Sequence, residues 1–282
     1  MEPAYTQAEL PPLLRRESLG AKLRRFFAPF AVVGAVILKF LGQLKFILPI
    51  LLKTGGSMLL TIGMYATIWG WKWAVGFVLL IFVHECGHLV AAKIFNLPVS
   101  APMFIPFMGA FIALKDAPKN AWMEACVGIG GPLLGSLGAL VCHIAGLSMN
   151  MPLLVALATS AYFLNLFNLT PVGMLDGGRI VTALSPWLWL LGFGGLAWLA
   201  WTHPNVIVWV LLVVSIPRVL SLFRRRSEEE KRYFEVAPAR RLIMAVMYFG
   251  LITLLVLGIR IAHDQLFDAR QRHLDKTETI LE

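Results

Sequence analysis

The sequence predicts an all-α polytopic membrane protein of about six to eight transmembrane helices, with a short extended or hairpin segment between two of them. Three observations predict this class. Of the 282 residues, 58% are hydrophobic and only 15% are charged, whereas soluble domains carry about 25% charged residues. Apolar runs of helical length recur along the chain, divided by Gly, Pro and charged clusters. The net charge of +9 comes largely from clusters that border those runs, including Arg15, Arg16, Lys22, Arg24 and Arg25, then Arg224, Arg225 and Arg226. That placement fits the positive-inside rule and not a nucleic-acid surface. The lipid bilayer is therefore an expected partner and nucleic acid is not.

Residues 1–25 read as a cytoplasmic N-terminal arm without the apolar core of a cleavable signal. Residues 26–53 are apolar but contain Lys39 and Lys45, so they either span the membrane or lie along its surface with both lysines reaching out. Residues 54–223 form the membrane-embedded domain, with a core at about 73–183. Within it, 57–72 is a short helix ending near Trp69, Trp71 and Trp73, residues suited to a membrane interface. A helix over about 74–95 follows. Residues 98–119 carry four prolines among β-branched and aromatic residues, which predicts an extended or hairpin segment covered by protein. Residues 121–147 are rich in small residues, chiefly glycine, as close helix packing requires. Further apolar runs are 152–167, 187–201 and 205–223. A basic cytoplasmic loop (224–240), a last span (241–261) and a polar tail (262–282) complete the chain.

Charge counting orients it. The arm, the 224–240 loop, and Lys93, Lys115 and Lys119 all favour the cytoplasm, so the helix over 74–95 runs inward and its polar residues lie toward the cytoplasmic side. Seven spans satisfy this parity if residues 26–52 lie on the membrane. Cys86, Cys126 and Cys142 read as small buried side chains.

The helix over 74–95 carries His84-Glu85-Cys86-Gly87-His88. Positions i and i+4 share a helix face, so both imidazoles can hold one metal ion. Glu85 is beside them as a candidate general base. Such ionisable groups within an apolar helix are costly and point to function. A catalytic zinc takes three protein ligands and keeps one position open. The candidate third ligand is Asp176, where Pro171 and Gly173 unwind the chain before Asp176-Gly177-Gly178. The competing expectation is that Asp176 caps a helix beginning at Gly177.

These motifs resemble the site-2 protease family of intramembrane zinc metalloproteases. The family's H-E-x-x-H helix reads here as His84 to His88, its Gly- and Pro-containing span as Gly130-Gly131-Pro132, and its N-x-x-P-x-x-x-x-D-G motif as Asn168 to Gly177. The resemblance implies a three-helix core binding one Zn2+ through His84, His88 and Asp176. It further implies that Glu85 is the catalytic base and that Asn168 contacts the substrate backbone or the developing oxyanion; Asn165, one turn earlier, is the second candidate. The implied substrate is a transmembrane protein. Cys86 stands where the family often has an aromatic or other apolar residue, and no stretch is long and polar enough for the PDZ or CBS domain that many members carry. The sequence does not specify an oligomeric state. Rival readings are a prenyl-protein protease, a metal transporter and a metal-binding scaffold without protease activity. Among other polar residues, Glu124 is expected to favour a helix N-terminus, His143 and His203 to be interfacial, and Arg179 to pair with a carboxylate or reach the interface.

Overall fold

The computed structural model describes residues 53–107 and 109–281, together with Gly20. Most of the expected arm 1–25 and of the apolar segment 26–53 thus lies outside the described residues. The rest is mainly helical. Residues 53–69 form helix α1, which stops at Gly70, whose φ of 81° suits glycine. Helix α2 (Trp71–Ile94) starts at once, a few residues before its expected start. Strands β1 (Met103–Ile105) and β2 (Gly109–Phe111) pair antiparallel, with Phe104 opposite Ala110. The expected hairpin is therefore present. Its turn uses positive φ at Phe107 and Gly109. A further bridge joins Val99 to Leu114.

Helices α3 (Ala121–Ser148), α4 (Pro152–Asn168) and α5 (Asp176–Leu184) follow, then α6 (Leu188–Thr202), α7 (Val206–Leu220), α8 (Glu228–Tyr233) and α9 (Pro238–Leu281). Among the described residues, three helices are long and apolar enough to cross a membrane: α2, α3 and the Pro238–Phe267 part of α9. Helices α4, α6 and α7 are apolar but shorter. The last helix corrects an expected boundary: it does not end at Ile261 but continues through the charged tail for 44 residues in all, roughly 66 Å at 1.5 Å per residue.

Helix α3 is the centre of the packing, touching α2, α4, α5 and α9. Its contact with α2 is backbone to backbone: a Cβ on Gly87 would overlap the Gly130 carbonyl, and one on Gly130 would overlap that of Gly87. Small residues allow such an approach where lipid supplies no hydrophobic drive. The main core joins α3, α4, α5 and α9 through residues such as Ile129, Ala158, Ile180 and Leu255. A smaller cluster joins α1, α2 and β1 through Ile62, Tyr65, Val78 and Phe104. Large apolar side chains such as Val141, Trp201, Val206 and Leu254 point outward, as on a lipid-facing surface. Between α7 and α9, Ser227 and Glu230 form a reciprocal capping box that starts α8.

Candidate metal centre

Helix α2 places His84 and His88 one turn apart, facing α3. Their Nε2 atoms are 3.1 Å apart. The start of α5 brings in Asp176, whose Oδ2 is 3.2 Å from both Nε2 atoms. All three residues are buried. The cap expectation for Asp176 gives way to a different geometry: α5 begins at Asp176 itself, with Leu175 at the N-cap and no side-chain cap bond.

The other ring nitrogens decide which atoms face the centre. His88 Nδ1 is 2.8 Å from the Val127 carbonyl, which can only accept, so Nδ1 carries the proton. His84 Nδ1 is 2.8 Å from Asn165 Oδ1, while the Asn165 amide donates to the Ala161 carbonyl at 2.7 Å. With each ring in its neutral form, both Nε2 atoms turn a lone pair toward the other and toward a carboxylate. Three electron-rich atoms converging in a buried space repel unless a cation lies among them. Their spacing also suits one: ligands about 2.0–2.1 Å from a tetrahedral zinc are about 3.3 Å from each other. The donor set thus fits a single metal ion, and His84, His88 and Asp176 are the group that could hold it. The orienting partners Asn165 and Val127 are what metal-bound imidazoles ordinarily have behind them.

Glycines make room for this arrangement. A Cβ on Gly131 would collide with His88 Nε2, and one on Gly135 with Asn165 Oδ1. The loop between α4 and α5 is equally tight, since Cβ atoms on Gly177 and Gly178 would overlap the carbonyls of Leu169 and Val172. Glu85 follows His84 and is also buried. Asn168 is the last residue of α4 and half-buried; Asn165, one turn earlier, is the amide that reaches a histidine.

Two sequence expectations need correction. Glu124 is in the first turn of α3, as expected, but it is buried and paired with Arg218 at 2.8 Å. His143 is buried instead of interfacial, with Nε2 2.7 Å from Gln265 Oε1 and Nδ1 3.4 Å from the Tyr162 hydroxyl. His203, the C-cap of α6, is exposed. Arg218 was not singled out by the sequence, although a cation inside the apolar run 205–223 is the kind of residue that signals a buried partner.

Residues 72–160 match the sequence pattern of peptidase family M50. The chain is 35% identical over 121 residues to "Zinc metalloprotease MJ0392" of Methanocaldococcus jannaschii, covering 40% of this chain and 34% of that protein. It is 24% identical over 227 residues to "Probable zinc metalloprotease EGY2, chloroplastic" of Oryza sativa subsp. indica, covering 62% of this chain and 41% of that protein. The chain thus spans well under half the length of the curated relatives it matches. It is similar to peptidase family M50, the site-2 protease family, through the segment that carries His84, Glu85 and His88.

Proposed function

We propose that this chain is an intramembrane zinc metalloprotease that hydrolyses peptide bonds of membrane-embedded protein substrates. The observation that carries this reading is the convergence of His84 Nε2, His88 Nε2 and Asp176 Oδ2 within a helical membrane protein, next to a buried Glu85. These three side chains would hold the metal. Zinc, when bound, acidifies water and polarises a carbonyl as a Lewis acid. Glu85 takes a proton from the attacking water as the new C–O bond forms, then delivers it to the amine as the C–N bond breaks. Asn168 contributes an amide donor to the substrate backbone or its developing oxyanion.

A substrate helix hides its carbonyls in internal bonds and must unwind before attack. The hairpin supplies a surface for the unwound strand. The Phe104 N–H on the outer side of β1 is met by Ser57 Oγ at 3.2 Å, which leaves β2 as the edge to which a strand adds. The membrane domain occupies 54–223, with its core at about 73–183, and the last span lies within α9. Helices α4, α6 and α7 join the three long helices to give six spans in the membrane, the lower end of the expected six to eight. Lys93, Lys115, Lys119 and the 224–240 loop face the cytoplasm, which places the metal centre toward that side.

Glu85→Gln tests the reading with a membrane-anchored substrate and metal analysis of the same preparation. Cleavage is expected to fall by roughly 100- to 10,000-fold with zinc content near that of the wild type. Unchanged cleavage removes Glu85 as the base.

A further inference from the structure

The segment around Asp176, from the end of α4 into the first turn of α5, is held at its carbonyls by side chains from later in the chain. Tyr248 on α9 donates its hydroxyl to the Leu169 carbonyl at 2.6 Å. Arg218 on α7 donates Nη1–H to the Gly173 carbonyl at 2.9 Å. Trp189 on α6 donates Nε1–H to the Gly178 carbonyl at 2.9 Å. These three tethers all lie beyond residues 72–160, the part that matches the family pattern.

Arg218 reaches further than the other two. Its Nη2 donates to Glu124 Oε1 at 2.8 Å and to Thr182 Oγ1 at 3.2 Å. Its guanidinium lies 4.7 Å from the centre of the Trp189 ring. Glu124 is buried and also accepts the Tyr233 hydroxyl on Oε2 at 2.8 Å. One turn along α3 from Glu124 is Val127, whose carbonyl fixes His88. A single planar fork therefore connects the turn of α3 that orients His88 with the loop that carries Asp176.

We propose that Arg218 is a positioning residue for the metal centre, setting Asp176 relative to His88 by bonding Gly173 and Glu124 at once. This rests on the metal-site reading above. The alternative role is simple neutralisation of a buried Glu124, which a lysine ammonium also performs. A lysine lacks the rigid fork that meets two separate acceptors, so Arg218→Lys separates the two roles.

The test uses the full chain purified in detergent and stripped of metal. Zinc affinity is read by competition with a chromogenic chelator, coordination geometry by the visible spectrum of the cobalt-loaded protein, and stability by thermal unfolding of the metal-free protein. Arg218→Lys is expected to weaken zinc binding by about 10- to 100-fold and to change the cobalt bands, while the metal-free melting temperature stays close to that of the wild type. Arg218→Met, which removes the charge as well, is expected to weaken binding further; if it does not fold, Arg218→Lys decides alone. Wild-type affinity and an unchanged cobalt spectrum in Arg218→Lys overturn the proposal, whatever happens to the melting temperature. Failure of the wild-type chain to bind either metal overturns the metal centre itself, and this role with it.

Discussion

His84 Nδ1 and Asn165 Oδ1 are 2.8 Å apart across the α2–α4 interface, and this bond determines which nitrogen of His84 faces the centre. Asn165→Leu keeps the bulk and removes the acceptor, freeing the ring to turn. Zinc affinity is expected to fall by about 10- to 100-fold, and Asn165→Asp, which restores an acceptor, to recover part of it. Competition titrations on the purified variants check this; wild-type affinity in Asn165→Leu means that His84 is oriented by something else.

Gly131→Ala is expected to behave against helix propensity. Alanine ordinarily stabilises a helix interior by about 1 kcal/mol over glycine. Here the new methyl meets His88, which is pinned by the Val127 carbonyl, so zinc content should drop and stability should fall by about 1–3 kcal/mol. Gly194→Ala on α6 is the control, since a Cβ there meets open space. Thermal unfolding and metal analysis of the pair give the comparison, and equal behaviour of the two variants counts against the described packing.

Asp176→Asn keeps the shape of the third ligand and removes its charge. Two neutral imidazoles alone should hold zinc poorly, so most of the metal is expected to leave on dialysis against a chelator that the wild type resists. Full retention by the variant breaks the proposed ligand set.

Tyr233, in the loop 224–240 proposed to face the cytoplasm, gives a further prediction. Burial first, and the charge of Glu124 second, raise its pKa above the ordinary tyrosine value, about 10. Because the folded value lies above the unfolded one, its contribution is complete below about pH 10 and is lost as pH rises through the folded value. Tyr233→Phe is expected to cost about 1.5 kcal/mol at neutral pH and to flatten the alkaline fall in stability. Unfolding midpoints followed across that range measure both effects.

The helical elements and the three residues proposed to hold the metal are legible because their signals are local or closely spaced in sequence. Apolar runs announced α2, α3 and the first part of α9, and prolines among β-branched residues announced the hairpin. The i, i+4 histidines and the broken helix before Asp176 pointed to one another by chemistry: a metal needs a third ligand. What stayed hidden are pairings that no period encodes. Glu124 and Arg218 are 94 positions apart, and His143 and Gln265 are 122 apart, so from sequence Glu124 reads as a dipole partner and His143 as interfacial, while Arg218 and Gln265 give no sign of a partner. Asn165 looked like an amide for substrate because His84, 81 positions away, gave no sign of needing an acceptor. The continuation of α9 past Ile261 was missed for another reason: its polarity suggested a tail, yet Gln, Arg, Lys and Glu are good helix formers.

The donors that meet Leu169, Gly173 and Gly178 come from α9, α7 and α6. A fragment trimmed after Leu184 would retain each side chain assigned to zinc and to proton transfer, but its hinge segment would lose these anchors. Anyone seeking a minimal enzyme by shortening this polypeptide should therefore expect the carboxylate to wander, and should graft replacement donors before judging the histidine pair at fault.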